Sequence, residues 1–562
     1  MRMLVGLAVA AMMMQQPAGD RPAGNTRGTR SVVMARNGAI ATSQPLATAA
    51  GLKVLQDGGN AIDAAVTAAA VLSVVEPTMN GPGGDLFAIV YSAKDHKVHG
   101  LNASGRAPAA ATLDEFKKRN LQHVPLRGEL SVSVPGVVDG WNELLTKHGT
   151  RTLAQALEPA IRYARDGYAV SEIIAGQWKE VENLLSRDAK TAAVFLPGGK
   201  APAPGDVFKN PALASSLEQI ARGGRDVFYK GAIAKAIADD MQRRNGLLTA
   251  KDLADHHADW VEPLSTTYRG YQVLELPPNT QGVTALEMLN ILEGFDLKSL
   301  GHNTAAYLHV MVEAKKIAFA DRGAWIGDPS STPPKAIERM LSKDYAAERR
   351  KEINPDKASE YKALTLTGTA APPADPEPAG RGDTIYMTAA DSQGNVISLI
   401  QSLYETFGSG IVAGDTGIVL HDRANLFSLT PGHPNQIAPG KRPFHTLVPA
   451  MVMKDGAPWL SFGVMGGDMQ AQGHAQVLAN LIDFGMNVQE AGEAPRFRHS
   501  GNGLALESAF TADARNGLTA RGHHVTGGTG AWGGFQGILI DPKTRVLMAG
   551  SDPRKDGMAA GW

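Results

Sequence analysis

The chain has 562 residues, enough for a large core, and its 43% hydrophobic and 20% charged residues are typical of a globular protein. A formal net charge of −1 gives no electrostatic reason to expect nucleic acid or an anionic membrane as a partner. Because the sequence contains no cysteine, disulfides, thiol nucleophiles and zinc–thiolate sites are excluded.

The N-terminus has the pattern of an export signal. Arg2 precedes an apolar run from Leu4 to Met14, which is too short to cross a membrane. We therefore expect residues 1–18 to be a signal peptide, the protein to be periplasmic or secreted, and no stable membrane span. Since no Ala-x-Ala cleavage site follows the run, the alternative is a hydrophobic start on a cytoplasmic protein.

Helices are predicted through most of the chain before residue 364. Asn60 has the position of an N-cap for an Ala-rich helix that ends near Val75. Apolar periodicity predicts further helices over Leu153–Asp166 and Thr304–Asp321. Strands are predicted over Leu86–Tyr91 and Gly270–Leu276.

The stretch from Leu364 to Asp383 is rich in proline and is predicted to be an exposed linker. Alternating side chains then predict strands over Thr384–Ala390 and Val396–Leu403, and a helix is expected near Ala471–Phe484. We predict a large α-rich unit, residues 19–383, and a small strand-rich unit, residues 384–562.

Two sequence signals for cofactors are weak. Gly528 to Gly533 match a dinucleotide-binding fingerprint, but a strand-like segment, Ile538–Ile540, follows where that motif requires a helix. The fifteen histidines show no metal-ligand spacing. We expect residues 528–533 to form a glycine-rich loop, and we expect no cofactor and no metal site.

The position of Thr384 in the sequence suggests that it could act as a nucleophile. It opens a predicted strand directly after the Pro-rich segment, so a break between Asp383 and Thr384 would make it a new N-terminus. A free α-amine has an unperturbed pKa of about 7.7–8.0. It can therefore accept the proton of the same residue's hydroxyl, and Thr384 would supply both nucleophile and base.

Short motifs spread over the sequence support a family resemblance. From about Ser43 to the C-terminus the chain resembles the γ-glutamyltransferases. The motifs that carry the resemblance, in the family's order, are Gly58–Ala65, Glu76–Pro77, Gly105–Pro108, Val134–Gly136, Tyr268–Tyr271, Ala320–Arg322, Gly327–Pro329, Phe407–Gly410, Gly440–Pro443, Gly466–Gly467 and Ser551–Arg554.

The resemblance implies an α+β fold, the four-layer αββα sandwich of N-terminal-nucleophile hydrolases, made by self-cleavage into a large and a small chain. It assigns Thr384 as nucleophile, with Ser402 in place of a threonine that hydrogen-bonds it. It places the backbone N–H groups of Gly466 and Gly467 at an oxyanion hole. It assigns Arg106 to the substrate carboxylate. The alternative to an oxyanion hole is that the two glycines only form a bulge. The alternative to substrate binding is that Arg106 only forms a surface ion pair.

The sequence departs from the family at positions of the substrate pocket. Leu426 replaces the aspartate that holds the substrate's α-amino group, Tyr404 an asparagine, and Arg423 a glutamine. His445 and Thr446 replace a pair of serines. This pattern resembles the amidase and acylase branches of the family.

We therefore expect an enzyme that forms an acyl-threonine intermediate from a small-molecule amide or peptide and passes the acyl group to water or an amine. A γ-glutamyltransferase or glutathione hydrolase activity is the standard assignment. An amidohydrolase or acylase for another carboxylate-bearing amide is the alternative, and a non-catalytic binding protein on the same fold is a second one. The pocket favours hydrolysis and acyl groups that lack an α-amino group.

Overall fold

The computed structural model describes residues 29–366, 371–373, 383–501, 503–527 and 532–562. The predicted signal peptide, residues 367–370 and 374–382 of the predicted linker, and the glycines at 528 and 530 lie outside these residues, so the predictions for them stay predictions. At its start the prediction of an exposed linker is wrong, because Leu364 is buried and its carbonyl accepts a hydrogen bond from Trp325 Nε1 at 2.8 Å.

The described residues form two large antiparallel sheets of seven strands each. The strands of the first sheet, in spatial order, are Val33–Ala35, Leu547–Ser551, Phe535–Ile540, Ala457–Val464, Ala450–Lys454, Tyr271–Glu275 and Leu264–Tyr268. Those of the second are Met558–Gly561, Gly38–Thr42, Asp383–Asp391, Val396–Tyr404, Asp85–Ser92, Lys97–Ala103 and Asp259–Val261. Smaller sheets contain Phe497–Ser500, Gly503–Leu506 and His524–Gly527, and Tyr168–Ala169 with Val207–Phe208.

Helices cover the outer faces of both sheets. The longer ones are Pro45–Gln56, Ala61–Val75, Val137–His148, Leu153–Asp166, Glu172–Glu180, Pro211–Gly223, Ala232–Arg243, Gly282–Leu292, Ala305–Trp325, Met469–Ile482 and Ala512–Ala520. Shorter helices span Leu113–Lys118, Glu182–Leu185, Ala189–Phe195, Arg225–Tyr229, Ala250–Ala254, Leu297–Leu300, Pro334–Met340, Lys343–Arg350 and Val488–Glu493, with 3₁₀ turns at Glu129–Ser131, Pro197–Gly199 and Arg423–Leu426.

The layers stack in the order helix, sheet, sheet, helix. Ala61–Val75 packs on the second sheet, while Gly282–Leu292 and Met469–Ile482 pack on the first. Three apolar clusters fill the spaces between the layers, and the two sheets face each other across the middle one. This is the predicted αββα sandwich.

The strand Asp383–Asp391 lies in the interior of this stack. Ile385, Met387 and Ala389 face the helix layer, while Tyr386 faces the other sheet. The alternation in the sequence therefore separates two buried faces, not a buried face from a solvated one. Strands buried on both faces give Thr384, at the start of the first one, a rigid support.

Several predicted elements match the observed ones closely. Asn60 caps Ala61–Val75 in a capping box with Asp63, whose carboxylate accepts a hydrogen bond from the Asn60 N–H. The helix Leu153–Asp166 has its predicted bounds. The last-third helix begins at Met469, two residues earlier than predicted.

Candidate active site

The predicted nucleophile lies at an irregularity between two central strands. Asp383 pairs with Tyr404 and Ile385 with Gln401, so the register shifts by one residue at Thr384. Such a bulge changes the direction of a side chain. The Thr384 hydroxyl, on a residue only 2% exposed, donates to Ser402 Oγ over 3.3 Å. Ser402 Oγ in turn accepts the backbone N–H of Tyr404 at 2.7 Å.

Asp85 is a buried carboxylate beside this pair. It lies opposite Ser402 on the neighbouring strand and accepts hydrogen bonds from Gly105 N at 2.9 Å and His445 Nε2 at 3.1 Å. Burial alone would raise the pKa of Asp85, but the neighbouring imidazoles and Arg423 hold that pKa well below its usual range. Asp85 is thus a fixed negative charge beneath the site.

Arg423 is the buried cation of the site. Its Nη1 donates to Thr446 Oγ1 over 3.0 Å, and its guanidinium lies 4.5 Å from the centre of the Tyr404 ring. Asp85 is 4.0 Å from its Nε, too far for a hydrogen bond. Within the described part of the chain, Nε and Nη2 of Arg423 and the Tyr404 hydroxyl have no hydrogen-bond partner. Buried donors of this kind are rare unless a ligand or water uses them.

His445 is held in its neutral form. Its Nε2 lies against Asp85, and its Nδ1 accepts the N–H of Leu447 at 3.2 Å. Burial and the charge of Arg423 together lower the pKa of His445 to about 3, against the opposing effect of Asp85. His445 therefore orients Asp85 and adds no charge near neutral pH.

Leu426 is a buried apolar residue in the same 3₁₀ turn as Arg423. It lies at the end of the 3₁₀ turn Arg423–Leu426 and belongs to a buried cluster with Tyr404, Phe444 and Trp325. A carboxylate at position 426 would lie in this apolar cluster beside the buried guanidinium. The structure thus brings Tyr404, Arg423, Leu426, His445 and Thr446 into one group of buried side chains, and their role in substrate binding stays a prediction.

Gly466 and Gly467 connect the strand Ala457–Val464 to the helix Met469–Ile482. Their φ angles are +110° and +58°, a region that favours glycine. Among the described residues neither backbone N–H donates a hydrogen bond. Two free donors at the start of a long helix suit a developing negative charge.

Arg106 takes part in a different set of contacts. Its guanidinium donates to His257 O at 2.9 Å and to Asp259 Oδ2 at 3.0 Å, and it is partly exposed. Arg442 also contacts Asp259, and burial together with the Arg442 charge lowers the pKa of Arg106. Arg106 thus has the ion pair that was the structural alternative to carboxylate binding, and the role in binding stays a prediction.

Sequence reasoning missed Asp85 as a member of the site. It follows Gly83 and Gly84 in the sequence, but it lies against His445 and Arg423, which are far along the chain. Gln281 was also missed, although its amide reaches the carbonyls of Thr446 and Gly467. No local pattern marks either residue.

The structure also brings together three possible metal ligands that spacing alone did not reveal: His309, Glu313 and His523. His309 Nδ1 lies 2.8 Å from His523 Nε2, and its Nε2 lies 2.7 Å from Asn354 O. Glu313 accepts hydrogen bonds from Lys316, Ser359 and Tyr361. Hydrogen bonds within the protein account for this arrangement.

Two facing sheets between two helix layers, with a threonine at the start of a central strand, define the fold of the N-terminal-nucleophile hydrolases. The sequence profile of the gamma-glutamyltranspeptidase family matches residues 47–562. The chain belongs to this family of hydrolases and acyltransferases.

Relatives that carry different enzyme names align with nearly the whole chain. The glutathione hydrolase-like YwrD proenzyme of Bacillus subtilis is 40% identical over 92% of this chain and 97% of its own. The glutathione hydrolase proenzyme of Escherichia coli is 36% identical over 94% and 93%. The crystal structure of a cephalosporin acylase from Bacillus halodurans has a TM-score of 0.89 and 41% identity, covering 98% of this chain and 99% of that one.

Over the described residues, no helix combines the length and the apolar character needed to cross a membrane.

Proposed function

We propose that this protein is a self-cleaving enzyme that attacks amide carbonyls with Thr384. The single observation that carries the proposal is the hydrogen bond from the buried Thr384 hydroxyl to Ser402, at the start of a central strand. The proenzyme names of the relatives from B. subtilis and E. coli support cleavage of a precursor.

Cleavage of the bond between Asp383 and Thr384 would release the base that the reaction needs. The new α-amine takes the proton from the Thr384 hydroxyl as its oxygen attacks the amide carbon. The carbonyl oxygen gains negative charge and accepts hydrogen bonds from the N–H groups of Gly466 and Gly467. The amine leaves with the proton, and an acyl-threonine ester remains. Water or a second amine then attacks the ester and regenerates Thr384.

The pocket next to Thr384 supports an acyl group with an acceptor oxygen, such as a carboxylate. Arg423 and Tyr404 present buried donors that no described protein group uses. A carboxylate that accepts two guanidinium N–H groups would satisfy them in a bidentate pair. The named acylase and glutathione hydrolases are compatible with substrates of this chemical class.

The same pocket disfavours a substrate ammonium group. Leu426 offers no acceptor, and the Asp85 carboxylate is already used by Gly105 and His445. The charge of Arg423 would repel an ammonium group at short range. We therefore propose an amidohydrolase or acylase for carboxylate-bearing amides without an α-amino group, with hydrolysis faster than transfer. We also propose that residues 1–18 direct export.

Intact-mass analysis of the purified protein tests the proposal. We expect two chains, the smaller beginning at Thr384, while Thr384→Ala remains one chain. The matched control is Thr388→Ala on the same strand; the Thr388 hydroxyl contacts Ser461, so this variant should still be cut. A wild type that hydrolyses amides while uncut would refute the mechanism, because its base would not exist.

A further inference from the structure

Gln281 connects two parts of the site that lie far apart in the sequence. It precedes the helix Gly282–Leu292 and is fully buried. Its side-chain Nε2 donates to Thr446 O over 2.7 Å and to Gly467 O over 3.2 Å. Thr446 holds Arg423, and Gly467 is one of the two glycines with free N–H groups. The side-chain amide of Gln281 thus connects the proposed acyl pocket, which contains Arg423 and Thr446, to the proposed oxyanion segment, Gly466–Gly467.

Arg322 determines which way this amide points. Its Nη1 donates to Gln281 Oε1 over 2.7 Å and to Asp468 Oδ1 over 2.7 Å. Since the amide oxygen must face Arg322, the amide nitrogen must face the two carbonyls. The guanidinium packs 3.9 Å above the Phe319 ring, and the Arg322–Asp468 ion pair is almost completely buried. Buried ion pairs of this kind have little freedom to rearrange.

The oxyanion segment needs contacts that fix its conformation, because its two glycines can adopt many backbone conformations. Gly466 and Gly467 have positive φ angles, and glycine populates many other conformations at low energy. Donors to a transition state are effective only when their position is fixed before the reaction. Gln281 binds the carbonyl of Gly467, and Arg322 binds the side chain of Asp468, the next residue, so both contacts restrain the end of this segment.

We infer that Gln281 is a positioning residue that sets the distance between the oxyanion N–H groups and the Arg423 pocket, with Arg322 fixing its orientation. The inference rests on the proposed function. Gln281 and Arg322 lie before residue 384, whereas Thr446, Gly467 and Asp468 lie after it. In the cut enzyme the large chain would therefore hold the oxyanion segment of the small chain in place.

The test is Gln281→Met, which keeps the side-chain length and removes both donors and the acceptor. We expect kcat per cut molecule to fall by at least tenfold, with KM within threefold, because the oxyanion donors act mainly in the transition state. The substrate is the chromogenic anilide that the wild type hydrolyses fastest. The cut fraction is measured by intact mass.

The matched control is Gln476→Met. Gln476 is also buried, and its Nε2 donates to the carbonyls of Gln472 and Phe497, at 3.1 Å each, away from the glycines. Its loss should lower thermal stability to a similar extent but leave kcat within threefold. The inference is wrong if Gln281→Met keeps kcat within threefold, or if both variants lose kcat equally.

If Gln281→Met does not fold, Asp468→Asn provides the second measurement, since it weakens the ion pair that holds Arg322 against Gln281 and next to Gly467. A fall in kcat of fivefold or more at unchanged KM would support the inference, and an unchanged kcat would overturn it. A wild type that is neither cut nor active would instead refute the proposed function, so the two failures are distinguishable.

Discussion

The Thr384 hydroxyl donates to Ser402 Oγ across the register shift between two central strands. Since the same Ser402 oxygen accepts the N–H of Tyr404, its lone pairs and its position are determined by the backbone. The hydroxyl of the proposed nucleophile is therefore oriented by the geometry of the sheet. Changes to this hydrogen bond should affect reactivity more than folding.

Ser402→Ala should slow both self-cleavage and turnover by about two- to tenfold, because the Thr384 hydroxyl loses one hydrogen bond with a net value of about 0.5–1.5 kcal/mol. The measurements are the rate of chain cleavage after synthesis and kcat for an anilide. Ser398→Ala is the control, since Ser398 lies on the same strand and its hydroxyl contacts Tyr386 instead. Equal effects of the two changes would contradict the role of Ser402.

Gly467→Val should reduce kcat about a hundred- to a thousandfold with a smaller change in KM, the typical effect of losing an oxyanion donor. A β-branched residue is strained at φ +58°, so the N–H groups of the segment would move. Steady-state kinetics on the cut protein provides the measurement. Gly485→Val controls for the strain alone, because Gly485 has φ +64° in open space. A Gly467→Val enzyme with normal kcat would show that the oxyanion site lies elsewhere.

The substrate prediction is checked by comparing kcat/KM for γ-glutamyl and glutaryl versions of one anilide. The wild type should prefer the glutaryl compound, because Leu426 cannot accept a hydrogen bond from an ammonium and Arg423 repels one. Leu426→Asp, alone or with Arg423→Gln, should shift the ratio toward the glutamyl compound by tenfold or more, about 1.4 kcal/mol. A wild-type preference of tenfold for the glutamyl compound would mean that another residue holds the amine.

His445 should make the protein sensitive to acid. Its pKa is lowered from 6.5 to about 3 in the folded state, so between these values the unfolded chain binds more protons than the folded one. The stabilising contribution is complete above pH 6.5 and is lost progressively as the pH falls toward 3. The advantage of the wild type over His445→Gln should therefore shrink by about 2 kcal/mol between pH 6.5 and pH 5.

Thermal unfolding of the single-chain Thr384→Ala form, with and without the His445 change, measures this difference. A gap that stays constant across the pH range would show that His445 takes up a proton in the folded protein.

The sequence predicted the elements well where a local signal exists. The Asn60 cap, the helix Leu153–Asp166 and the strand after Asp383 follow from residues close together in the chain. The family resemblance predicted the positions of the substrate pocket, and the structure brings three of them, Tyr404, Arg423 and Leu426, together.

The contacts of the site were not predictable in the same way. Asp85 and Gln281 act through partners that are distant in sequence, and a lone buried Asp or Gln has no periodicity that reveals it. The sequence also did not determine the partner of Arg106, because a guanidinium can bind the carboxylate of a substrate or one within the protein equally well. Asp259 fulfils the second role here.

The order of strands in the second sheet affects what happens after the proposed cut. Gly38–Thr42 and Asp85–Ser92 come from before residue 384, and they flank Asp383–Asp391 and Val396–Tyr404 from after it. The two chains cannot separate without breaking the hydrogen bonds on both edges of this central strand pair. We therefore expect them to stay associated when the protein is diluted.

Once unfolded, however, the two chains would have to find each other by diffusion, because the covalent connection that brings their strands together has gone. We therefore expect the uncut precursor to refold, whereas unfolding of the cut protein would be effectively irreversible.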